Sequence, residues 1–109
     1  MEEITISSYP VKILAIGRHR EILDKVVELI NKNTPHQASG ALTDDEALNL
    51  FRVGNFDIVL LCGGIEPSSD KNLRKVFSQE KPGIKINQHF GGGSGLLYNE
   101  IQAVIDKMK

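Results

Sequence analysis

Apolar and polar positions alternate between two periods along this chain, and the switch between them predicts its elements. Val11-Lys12-Ile13-Leu14-Ala15-Ile16-Gly17 is a short apolar run ending in glycine, read as a first core strand. From Glu21 to Asn33 the apolar residues Ile22, Leu23, Val26, Val27, Leu29 and Ile30 recur with the spacing of an amphipathic helix, which stops before Thr34-Pro35. Gln37 to Leu42 is a weaker strand of small residues, expected at or near a sheet edge. Thr43-Asp44-Asp45-Glu46 has the form of a capping box and opens a second helix from Asp44 to about Val53, with Gly54 expected as its left-handed cap.

Phe56-Asp57-Ile58-Val59-Leu60-Leu61-Cys62-Gly63-Gly64 carries the most information. A continuous apolar run bounded by turn residues fits a strand buried on both faces, as in a parallel sheet covered by helices. A third helix is expected from Ser68-Ser69-Asp70 to about Gln79, with Leu73, Val76 and Phe77 on one side and the solvated Lys71, Arg74 and Lys75 on the other. Pro82-Gly83 ends it. Ile84 to Phe90 alternates over its first half like a half-buried strand, the loop Gly91-Gly92-Gly93-Ser94-Gly95 follows, and Leu97, Ile101, Val104, Ile105 and Met108 mark a last helix. Ile4 and Ile6 alternate ahead of Pro10, so residues 1–10 are read as an edge strand or a flexible tail.

Alternating strand and helix units with short loops predict right-handed crossovers and helices on both sheet faces. The expected fold is therefore α/β, a three-layer α/β/α sandwich around a parallel sheet of four to five strands, in one domain over 1–109. In such sheets ligands gather beyond the carboxyl ends of the strands, which is where Cys62 stands.

Composition narrows the classes of function. The 109 residues are 40% hydrophobic and 25% charged, enough for one small domain with its own core. A net charge of -1, from 13 basic and 14 acidic residues, argues against binding nucleic acid or a membrane surface through bulk charge. One cysteine and three scattered histidines give no zinc spacing, and 6% aromatics offer no stacking platform for single strands. With no long apolar run and an acidic Met1-Glu2-Glu3 start, a cytoplasmic protein is expected, and no cofactor is indicated.

The chain resembles the receiver domain of two-component response regulators, a flavodoxin-like fold, over about Val11 to Phe90. The resemblance rests on Val11 to Ile16 as first strand, on Leu42-Thr43-Asp44-Asp45-Glu46-Ala47-Leu48 entering the second helix, and on Phe56 to Leu61 followed by a glycine-containing loop and Pro67. It implies the strand order 2-1-3-4-5, with the last strand-helix unit lacking here. A receiver accepts phosphate on an aspartate at the end of its third strand, where this chain has Cys62. Its metal-holding acidic pair after the first strand aligns with Gly17 and Arg18, and its hydroxyl residue at the end of the fourth strand aligns with His89. What the resemblance implies is a degenerate receiver-like domain without phosphoryl-acceptor or metal chemistry. That reading requires that Asp and Glu side chains do not converge on Cys62.

Each candidate position has a plainer reading beside the functional one. Cys62, followed by Gly63, is a nucleophile or redox thiol if Arg18, His19 or Arg20 lowers its pKa, and otherwise a buried filler. Arg18 and His19 after the first strand can receive an anion or can form a solvated turn, although positive charge at a helix N-terminus is unfavourable. The glycines Gly91, Gly92 and Gly93 let backbone approach a phosphate or nucleotide, and Ser94 can cap the last helix, but neither a Walker A nor a dinucleotide fingerprint is present. His89 and Cys62 share a strand end if their strands are neighbours, which suggests a dyad without a named third group. The Asp-x-His-x-x-Gly motif of cobalamin-binding domains is not found around His19.

Three classes follow: a non-catalytic receiver-like signalling or interaction module, a small-anion-binding domain, and a thiol enzyme using Cys62 and His89. Leu96 and Tyr98 widen the apolar arc of the last helix. A fourth strand left at the sheet edge has unpaired backbone groups, so a homodimer through that strand or that helix is expected, unless Ile4 to Ser7 covers the edge.

Overall fold

A computed structural model of the chain describes residues 10–89 and 94–108. Strands β1 (Lys12–Ile16), β2 (Gln37–Ala41), β3 (Ile58–Leu61) and β4 (Lys85–Gln88) alternate with helices α1 (Arg20–Asn33), α2 (Asp44–Gly54), α3 (Pro67–Glu80) and α4 (Ser94–Met108). All strand pairs are parallel, in the order β2-β1-β3-β4. This is the expected three-layer α/β sandwich, with β2 at one edge.

The two central strands face both layers, which is why their sequences are apolar without a break. Ile13, Ala15, Ile58, Leu60 and Cys62 face one way and pack with Leu23, Val26 and Ile30 of α1 and Leu97 and Ile101 of α4. Leu14, Ile16, Val59 and Leu61 face the other way, against Ala47 and Phe51 of α2 and Leu73 and Phe77 of α3. Full burial of each large aliphatic side chain contributes about 1.5–3 kcal/mol. Phe51 and Phe77 meet at 4.3 Å between ring centroids and fasten α2 to α3. The small residues of β2 serve close packing: a Cβ at Gly40 would lie 3.2 Å from Leu23 and Val27 of α1.

Chain direction explains the helix layers. Right-handed crossovers place α1 on one face and, because β2 to β3 and β3 to β4 both progress the opposite way, α2 and α3 on the other. A crossover to a strand beyond β4 would also put its helix with α2 and α3. Instead α4 packs on the α1 face, so it closes the sheet over β3 and β4 and is no crossover helix. Among the described residues no strand lies beyond β4, and the expected N-terminal segment and Gly91 to Gly93 fall outside them.

Three local expectations are corrected. The left-handed cap of α2 is Asn55 (φ 53°, ψ 60°), one of the residue types that tolerate this region, and not Gly54, which is the last helical residue and has the ring of Phe56 packed against it. Helix α3 starts at Pro67, not Ser68, since the fixed φ of proline suits the first helical position. The capping box forms, with Thr43 Oγ1 accepting from the Glu46 N–H at 3.1 Å, but Glu46 reaches back one residue further, to the Leu42 N–H at 2.8 Å.

Candidate functional site

The loops after β1, β2 and β3 meet at the carboxyl end of the sheet, and Arg18 holds them together. Its Nη2 donates to Asp44 Oδ1 at 2.6 Å, its Nη1 to the Leu42 carbonyl at 2.9 Å and its Nε to Glu66 Oε1 at 3.1 Å. Its backbone N–H adds a 3.4 Å contact to the Gly63 carbonyl. The side chain is largely covered, with 21% of it exposed. Burial alone would raise the Asp44 carboxyl, but hydrogen bonds from Arg18 and Ser69 and the Arg18 charge hold it below the ordinary range. The hydrogen bond to Asp44 is the main reason the Arg18 guanidinium holds its proton still more tightly than usual.

Positive charge after β1 is thus turned away from the α1 N-terminus and spent on carboxylates. His19 precedes that helix in extended conformation without a side-chain cap. Its ring lies against the β3–α3 turn, where a Cβ on Gly64 (φ 86°) would come 3.0 Å from Nε2. The Arg18 donors that sequence offered to an external anion are committed inside the fold.

Cys62 follows β3 directly, with 2% of its surface exposed. Gly17 is pressed against it, since an added Cβ there would sit 3.1 Å from Cys62 Cβ. Burial, aided by the negative charge of Glu100, pushes the thiol up to about 11. Arg18 and His19 therefore do not activate it. Over the β3–α3 loop an open cleft of about 410 Å³ is lined by Cys62, Gly63, Gly64, Ile65, Pro67, Asp70, Lys71 and Gln88.

The fourth strand brings His89 to the same end. Its N–H donates to the Leu61 carbonyl at 2.9 Å, so it stands beside Cys62 in the continued β3–β4 register. Its Nδ1 lies 2.5 Å from Glu100 Oε1 of α4, with side-chain exposures of 6% and 16%. Glu100 is the third group that spacing alone did not name. Its position did carry a signal, because it falls inside the apolar stripe of Leu97, Ile101 and Val104. Two carboxylates thus lie in the surroundings of Cys62, each with its own partner: Glu100 is bound to His89, and Asp70, across the cleft, to Arg74 Nε at 2.6 Å.

Two clusters result. Arg18, Asp44 and Glu66 form one over β1, β2 and β3; His89 and Glu100 form the other between β4 and α4, with Cys62 between them. Ser94 opens α4 from within its first turn, and Gly91, Gly92 and Gly93 lie outside the described residues. The divalent-metal site of the receiver domains that the chain resembles does not fit these residues. After β1 stand Gly17 and Arg18, the two nearby carboxylates are held by the guanidinium, and no three His, Cys, Asp or Glu side chains gather as ligands among the described residues.

The same architecture recurs in solved structures. The chemotaxis protein CheY4 of Vibrio cholerae superposes with a TM-score of 0.65 at 18% identity, covering 86% of this chain and 79% of that one. The non-phosphorylated HemR receiver domain of Leptospira biflexa gives 0.65 at 16% identity, over 89% and 92%. The N-terminal domain of a response regulator receiver protein from Methanoculleus marisnigri JR1 gives 0.61 at 18% identity, over 86% and 78%. The fold is receiver-like. No family model matches the chain, and no curated protein does. At such identities the likeness establishes the flavodoxin-like, receiver-like architecture, while function has to be argued from the site. Among the described residues no helix is long and apolar enough to cross a membrane.

Proposed function

We propose that this receiver-like chain is a cytoplasmic signalling or protein-interaction module that acts by contact and carries no phosphoryl-acceptor chemistry. The observation that carries the reading is the exchange of groups at the carboxyl end of the sheet. Where a receiver presents a carboxylate to phosphate, this chain has a buried thiol whose pKa burial raises, and the carboxylates of Asp44 and Glu66 are bound by Arg18. A group that is neither ionised nor accessible is a poor nucleophile. The same burial weighs against a thiol enzyme, since His89 is directed to Glu100. Partner binding through the β4 edge or α4, as a homodimer, is supported by β4 having no further strand beside it among the described residues and by Leu96, which is 44% exposed.

Incubation with acetyl phosphate and magnesium, followed by intact mass measurement, tests the reading. The unmodified mass is expected; an acid-labile phosphoryl adduct on any carboxylate of the β1, β2 or β3 loops would overturn it.

A further inference from the structure

The Arg18 cluster has the composition of a cation site whose cation is part of the chain. Its three acceptors come from two loops: the carbonyl of Leu42 and the carboxylate of Asp44 from the β2–α2 connection, and the carboxylate of Glu66 at the entry to α3. Oxygen donors of this kind are what a hard divalent ion would take, and a magnesium ion is commonly held by one or two carboxylates with water completing its shell. A guanidinium presents its donors in a fixed planar fork, so it can serve such acceptors without any metal.

Charge balance points the same way. One guanidinium against two carboxylates leaves a net -1. Both carboxylates also sit at helix N-termini, Asp44 in the first turn of α2 and Glu66 as the residue capping α3. Each N-terminus supplies roughly half a positive charge, which offsets part of this negative charge and is shared with Asp45 and Glu46 in the first turn of α2 and Asp70 in that of α3. A divalent ion entering the cluster would meet a guanidinium already bonded to its acceptors.

We propose that Arg18 is the resident cation of this end of the sheet, fixing the β1, β2 and β3 loops in one arrangement that needs no divalent ion and does not respond to one. The inference rests on the contact-module reading and extends it to regulation: the surface formed by these loops is permanently set, where a metal-dependent site would switch. Arg18 acts here as a positioning residue.

Thermal unfolding of the full chain and of Arg18→Ala, each with and without millimolar Mg²⁺ or Mn²⁺, tests it. Tm of the unsubstituted chain is expected to stay unmoved by either ion. Arg18→Ala, which leaves Asp44, Glu66 and the Leu42 carbonyl facing an opening, is expected to melt lower by roughly 5 °C and to recover part of the loss on adding the ion. Arg18→Lys, whose single ammonium cannot reach all three acceptors, is expected to fall between them and to exchange amide hydrogens faster at 42–44 and 63–66. A metal-dependent rise in the unsubstituted chain, an Arg18→Ala variant as stable as the parent, or an Arg18→Lys variant with parental exchange would each overturn the proposal. If Arg18→Ala does not fold in either buffer, the exchange measurement on Arg18→Lys decides. Failure here is distinct from failure of the contact-module reading, which a phosphoryl adduct overturns.

Discussion

His89 Nδ1 and Glu100 Oε1 lie 2.5 Å apart in a nearly closed space and join the end of β4 to the inner face of α4. The bond spans the Gly91 to Gly95 connection and gives α4 a polar anchor in addition to its apolar stripe. A buried hydrogen bond involving an ionisable pair is costly to half-remove, because the remaining partner loses water without replacement.

Replacing Glu100 with Ala is accordingly expected to destabilise the chain by about 1–3 kcal/mol, and His89→Ala by a similar amount. Replacing both with alanine should cost less than the sum of the single changes. Denaturant unfolding of the four species checks this as a double-mutant cycle, and additive losses would show that the two side chains do not interact.

The Cys62 thiol should be unreactive in the folded chain. A rise from the ordinary 9.0 to about 11 reduces the thiolate population about 100-fold at neutral pH, before steric shielding is counted. Iodoacetamide labelling followed by mass spectrometry should therefore be at least that much slower than in urea. Comparable native and denatured rates would remove the main physical support for an inert thiol.

Near neutral pH the stability should depend on His36. Its Nδ1 accepts the Val11 N–H at 3.1 Å at the entrance to β1, which requires that nitrogen to be unprotonated. Burial lowers the His36 pKa below its ordinary 6.5, so over the interval just under that value the unfolded chain binds more protons than the folded one. This contribution is fully present above about 6.5 and is lost as pH falls towards the folded value. The carboxyls of Asp44 and Glu66, held below their ordinary range, lose theirs only at lower pH. Unfolding free energy followed from pH 7.5 to 5 should decline, about as expected for one group, and the decline should flatten in His36→Asn.

Gly54 and Gly63 form a matched pair of tests. An added Cβ at Gly54 would come 2.4 Å from the Phe56 ring, whereas nothing lies within 4 Å of one at Gly63. Gly54→Ala is expected to cost about 1–3 kcal/mol despite the better helix propensity of alanine. Gly63→Ala should stay within about 0.5 kcal/mol of the parent. Equal effects in thermal melts would contradict the packing described around Phe56.

Much of this architecture was legible in the sequence because burial on both faces, or on one, leaves a periodic record. The runs at Ile13 to Ile16 and Ile58 to Leu61 announced central parallel strands, and the stripe from Leu97 to Ile105 announced α4. The Asn55 cap was misplaced at Gly54 because close contact with Phe56, not backbone conformation, demands the glycine there. The site was harder to read. Arg18 meets partners 24, 26 and 48 residues away, so no local pattern records the cluster, and Asp44 was already explained by the capping sequence. Glu100 was not named from the sequence either, although it left one trace there, a carboxylate inside the apolar stripe of Leu97, Ile101 and Val104.

The amide spectrum of the ¹⁵N-labelled chain, recorded before and after addition of magnesium and acetyl phosphate, probes the closed carboxyl end most directly. Superimposable signals for residues 17–19, 42–44 and 62–66 are predicted, since Arg18 already holds the acceptors and Cys62 accepts nothing. Shifts confined to those three loops would contradict the account.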